Sequence, residues 1–149
     1  MPPLLLHPPF SAFPIALLFV LAVLELCRVT RLFSVAEGTL DIVAALALIF
    51  TLIAFLTGDE SAKSIYDIPS GTIATHHVCG KALLFSLIPL TALRLIVTRA
   101  VRGKKVFASV YYLFVCCCFV LACYTGYLGG QLVFTYGVGV NGATKAGDL

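Results

Sequence analysis

The chain has 149 residues, of which 60% are hydrophobic and 11% charged, with a formal net charge of +3 and a mean hydropathy of +1.05. Soluble domains carry about a quarter charged residues, so this composition excludes a water-soluble enzyme and places the chain in a bilayer. The connections between its apolar segments are too short to hold a second domain, and a single membrane domain is expected over residues 1–149.

Four apolar runs, 11–27, 39–56, 77–97 and 106–127, account for most of the length. Each approaches the roughly 20 residues that cross a hydrocarbon core of about 30 Å at about 1.5 Å per residue. An all-α, integral membrane four-helix bundle follows. The first run lacks a basic leader and a small-residue cleavage site, so it reads as a mature helix rather than a removed signal. Pro8 and Pro9 precede it, Ser11 is its expected cap, and Pro14 its expected first-turn proline. The second run is expected to stop at "TGDE", where Gly58 and the following charges end helix and membrane together. Pro89 lies inside the third run and predicts a kink. The fourth has Tyr111 and Tyr112 near one end and Tyr124 and Tyr127 near the other, as interfacial aromatic anchors would be placed. Residues 128–149 read as a glycine-rich tail that turns back over the helix ends as a lid, and no internal repeat is legible.

Basic residues give the orientation. If helix 1 starts at the outer face, then Arg28, Arg31, Arg94, Arg99, Arg102, Lys104 and Lys105 fall on the inner side, and Lys63, Lys81 and Lys145 on the outer. The positive-inside rule then puts both termini on the non-cytoplasmic side. In so short a loop, "RAVRGKK" is a topology signal, and no nucleic-acid partner is expected. His7, "TGDE", His76, His77 and "YTGYLGGQLVFTYGVGV" all gather at the outer end. The inner end offers arginines and lysines, with Glu25 spaced to pair with Arg28 on one helix face.

Taken together, the His-Pro pair before "FPIALL", the Thr-Gly after helix 2, the histidine opening helix 3 and the terminal "TGYLGGQLVFTYGVGV" resemble the bacterial membrane proteins grouped as domain of unknown function 2231. The resemblance covers nearly the whole chain, and the glycine-rich terminal pattern is its most specific part. In that family the third-helix histidine is usually followed four residues later by glycine, which matches His76 and Gly80 and leaves His77 as a departure. The family's frequent association with c-type cytochrome modules implies a respiratory or redox setting in the bacterial inner membrane.

Chemistry supplies a candidate for the site. Two imidazoles from parallel helices at similar depth can fill both axial positions of a haem iron, and helices 1 and 3 are parallel. His76 shares a face with Gly80, which leaves room for the edge of a macrocycle, whereas His77 shares its face with Lys81. The expected metal ligands are therefore His7 and His76, with His77 as fallback, and Lys81 extends toward a haem propionate or toward Asp59 or Glu60. The competing reading has the three histidines simply snorkelling or hydrogen-bonding loop carbonyls at the interface. No C-x-x-C-H occurs, so the haem would be a non-covalent haem b. Cys116, Cys117 and Cys118 point in three directions and suit small apolar fillers, while Cys79 alone is near enough to the histidines to join a copper or zinc site. The glycine-rich segment follows a helix and opens none, so it is no phosphate loop. No nucleophile–base pair or paired acid marks an enzyme, and nothing on the outer half suggests coupled ion transport. Two functions remain: a b-type haem electron carrier in a membrane electron-transfer complex, with a c-type cytochrome or a quinone as its redox partner, or a cofactor-free accessory subunit of a larger membrane complex.

Overall fold

A computed structural model describes residues 7–62, 70–99 and 105–138, with side chains over 7–58, 71–96 and 106–138. The described residues form four helices, α1 (His7–Thr30), α2 (Glu37–Ala62), α3 (Ser70–Arg99) and α4 (Lys105–Phe134), and no strand occurs among them. Each contains a stretch long and apolar enough to cross a membrane. The all-α membrane bundle expected from composition is therefore the fold.

Every helix runs beyond its expected limits, and the reasons are local. α1 already begins at His7, because Pro8 and Pro9 occupy the first turn, where a missing N–H has no helical acceptor to lose. Ser11 is therefore inside the helix and donates its hydroxyl back to the Pro8 carbonyl at 2.9 Å, and Pro14 lies beyond the first turn, buried. α2 does not stop at Gly58 but continues to Ala62. In α3, seven helical residues (70–76) replace the expected loop, so His76 and His77 lie within the helix rather than at its mouth. α4 carries Gly126, Gly129 and Gly130 as helical residues and ends only at Phe134. Its stop signal is Gly137, at φ 67°, with the N–H groups of Gly137 and Val138 donating to the carbonyls of Val133 and Leu132 at 3.0 Å each. The bond from Gly137 back to Val133 is that of an αL ending, which favours glycine because glycine takes a left-handed φ without a Cβ penalty. The expected lid is thus helix over 128–134, and its remainder from 139 onward lies outside the described residues.

The helices form a ring in which α1 and α3 each pack on α2 and α4, so α1 and α3 stand on the diagonal. Counted from His7, the buried residues Pro14, Leu18, Leu21 and Glu25 follow at 7, 11, 14 and 18 positions. Counted from His76, Leu83, Leu87, Leu90 and Arg94 are buried at the same four intervals. α2 and α4 correspond likewise, with Leu40, Ala44, Ala47 and Thr51 buried opposite Tyr111, Val115, Cys118 and Ala122. Ala44 and Ala47 are the buried residues in the middle of α2 and share one core with Leu18 and Leu21 of α1 and Leu83, Leu87 and Leu90 of α3. Large apolar side chains cover the outside, Phe19, Leu26, Ile42, Phe85 and Val120 among them, as a helix surrounded by lipid requires.

Candidate functional site

Two polar centres occupy the two ends of the bundle, separated along α1 and α3 by 18 residues, or about 27 Å of helix. At one end His7 and His76 meet across the diagonal, their ring centres 6.0 Å apart and their planes at 83°. Each ring is fixed by the neighbouring helix. His7 Nδ1 donates to the Ala54 carbonyl of α2 at 2.8 Å, and His76 Nδ1 donates to the Thr125 carbonyl of α4 at 3.1 Å. A carbonyl oxygen can only accept, so both Nδ1 atoms carry the proton, and in the neutral ring each Nε2 keeps a lone pair, the form in which an imidazole can bind a metal.

Glycines make these contacts possible. A Cβ on Gly58 would lie 2.8 Å from His7 Cε1, and one on Gly129 would lie 3.1 Å from His76 Cε1. Gly80, by contrast, faces open space, with no neighbouring atom within 4 Å of where a Cβ would stand. That space belongs to a cavity of about 390 Å³ lined by residues of all four helices, including His7, His76, His77 and Gly80. Its volume is within the range of small-molecule and cofactor sites, and its wall is mostly apolar, with Ile15, Phe55, Leu83 and Leu132 contributing.

Of the residues singled out in the sequence, His7, His76, His77 and Gly80 thus surround one cavity. His77 rests against Phe55, ring centres 5.3 Å apart, so it occupies a different wall from the facing pair. Lys81 is exposed and does not line the cavity, and the side chains of Asp59 and Glu60, its expected alternatives, lie outside the described residues.

The donor set restricts what could be held. Among the described residues no three His, Cys, Asp or Glu side chains come together as a metal-holding group, Cys79 with the histidines included. A bare zinc ion takes four protein ligands in a structural site, twice what the facing pair offers. With ring centres 6.0 Å apart, the two imidazoles are within reach of one shared metal at bonds of about 2.0 Å. The residues present therefore fit a metal whose other positions are filled by a macrocycle.

The opposite end holds an ionic network that sequence reasoning misses. Arg94, with 0% exposure, sends Nε to Asp41 Oδ1 at 3.1 Å, Nη1 to Glu25 Oε1 at 3.3 Å, and Nη2 to the carboxylate of Glu37. Arg28 pairs with Glu25 at 2.8 Å, the contact expected from their spacing, and also reaches Glu37 at 3.0 Å and the Tyr112 hydroxyl at 2.7 Å. Tyr111 donates to Glu25 Oε1 at 2.8 Å and is fully buried, so it is a member of this network and not an interfacial anchor. The signal available in the sequence is the ionisable residues within the apolar runs, among them Glu25, Asp41 and Arg94, where unpaired charge is costly enough to demand a partner.

No curated protein and no solved structure matches the chain. The family model described as "Predicted membrane protein (DUF2231)" matches residues 3–142, and the chain belongs to that family of membrane proteins.

Proposed function

We propose that this membrane protein binds one haem b non-covalently between His7 and His76 and serves as a one-electron carrier subunit of an electron-transfer complex in the bacterial inner membrane. The observation that carries this reading is the facing histidine pair, 6.0 Å between ring centres, with each Nδ1 committed to a helix carbonyl. Carbonyl bonding through Nδ1 fixes the tautomer and ring orientation of a metal-ligating histidine and raises its basicity.

When bound, haem supplies a one-electron iron couple. The chain's own residues do the rest. His7 and His76 would hold the group through their Nε2 lone pairs, and a group held by two protein ligands would supply electron transfer rather than catalysis at the metal. Ile15, Phe55, Leu83 and Leu132 keep water from the macrocycle, and Gly80 leaves space for its edge. With both termini on the non-cytoplasmic side, the exchange partner is a c-type cytochrome or a quinone at that face.

Purification of the full-length protein from haem-replete cells, with its native partners attached, provides the test. A six-coordinate low-spin absorption spectrum is expected, lost in His7→Ala and in His76→Ala and retained in His77→Ala. A colourless preparation would overturn the haem assignment in favour of a cofactor-free accessory subunit, and loss of the spectrum in His77→Ala alone would move the ligand.

A further inference from the structure

We infer that the chain is two copies of one helical hairpin in tandem, each contributing an equivalent half-site to the cavity, and that Gly58 and Gly129 are the residues that position His7 and His76. The buried spacings shared by α1 and α3 do not establish this alone, because intervals of 7, 11, 14 and 18 are what knobs-into-holes packing gives in any bundle. What packing does not require is the chemistry attached to them. In the first hairpin, a histidine of α1 bonds the carbonyl of Ala54, and a glycine follows that carbonyl four residues later. In the second, a histidine of α3 bonds the carbonyl of Thr125, and again a glycine follows four residues later.

The interval of four has a physical reason. In a helix the carbonyl of residue i already accepts from the N–H of residue i+4 and keeps a second lone pair. A side chain at i+4 would stand beside that lone pair, and the ring-to-Cβ distances of 2.8 Å at Gly58 and 3.1 Å at Gly129 put it within contact of the imidazole. Glycine is the poorest helix former apart from proline, so its presence at both equivalent positions points to a role beyond the helix itself. At the far end, 18 residues after each histidine, the equivalent positions carry opposite charges, Glu25 and Arg94, and pair with one another. Divergence there fits a hairpin selected to dock against its sister copy rather than against a duplicate of itself, since two glutamates or two arginines would repel.

The positioning role is tested on the full-length protein in detergent, reduced so that any low-spin iron is diamagnetic, with ¹⁵N-labelled histidine. Imidazole nitrogen shifts should report His7 and His76 both with the proton on Nδ1. Gly58→Ala should disturb His7 and spare His76, and Gly129→Val should do the reverse, with Gly129→Ala milder because of its longer contact. Gly80→Ala, directed into open space, should disturb neither tautomer. Either histidine protonated on Nε2 in the wild type would overturn the inference, as would equal disturbance of both rings by one glycine variant. Should Gly58→Ala not fold, the wild-type tautomers and Gly129→Val still decide. The optical arm rests on the haem reading: each glycine variant should lower the six-coordinate fraction. A colourless protein with both Nδ1 protons in place would refute the haem while upholding the paired half-sites.

Discussion

Replacement of Arg94 by methionine keeps most of the side chain's length and removes its charge. In the wild type this guanidinium has no exposed surface and contacts three carboxylates, those of Glu25, Glu37 and Asp41. Glu25 is itself only 2% exposed, so Arg94→Met leaves a buried carboxylate with Arg28 and Tyr111 but without its cross-bundle cation. Removal of one partner from a buried ion pair costs about 3–5 kcal/mol, against about 0–1 kcal/mol for an exposed pair. A loss of about 3 kcal/mol or more, roughly two orders of magnitude in the folded-to-unfolded ratio, is therefore expected. Reversible unfolding by dodecyl sulfate in mixed micelles measures it. Addition of Glu25→Gln should recover part of the loss, with a coupling within the range of about 0.5–3 kcal/mol that contacting residues show. If Arg94→Met unfolds within about 1 kcal/mol of wild type, the network is not the buried clamp its distances describe.

Two further outcomes follow from the same geometry. Tyr111→Phe deletes the hydroxyl that donates to Glu25 at 2.8 Å, and because the acceptor is charged the expected cost is about 1.5–3 kcal/mol; an unchanged unfolding midpoint would contradict it. A reporter fused after Leu149 should mark the non-cytoplasmic side and one inserted at 102–105 the cytoplasm, and the reverse pattern would move the histidine end to the cytoplasmic face.

Membrane class, helix number and the approach of His7 to His76 are legible in the sequence because they depend on hydropathy, helix count and parity, which single residues rarely disturb. Helix ends are less legible. Gly58, Gly129 and Gly130 look like terminators in a string of letters, yet inside a bundle each serves in a helix, and the actual terminator, Gly137, is recognised by its left-handed φ and paired carbonyl bonds. That the histidines bond carbonyls is the competing reading of the sequence, but which carbonyls accept is not legible there, because those acceptors are backbone atoms, present at every residue and marked by no side chain. Arg94 reads there as a topological charge, since a count of basic residues does not distinguish a guanidinium in the headgroups from one enclosed by Glu25, Glu37 and Asp41. The tandem hairpins are hidden for the same reason: their likeness is in spacing and hydrogen bonding, while residue identities such as Leu40 and Tyr111 have diverged.

Electron paramagnetic resonance of the oxidised full-length protein tests the central claim most directly, because the signal of a low-spin ferric haem depends on the relative orientation of its axial imidazoles. The planes of His7 and His76 stand at 83°, so the strongly anisotropic, large-g signal of near-perpendicular ligands is expected, and it should vanish in both His7→Ala and His76→Ala. A rhombic signal of parallel imidazoles, a purely high-spin signal, or no iron signal at all from haem-replete cells would contradict a haem held between these two rings.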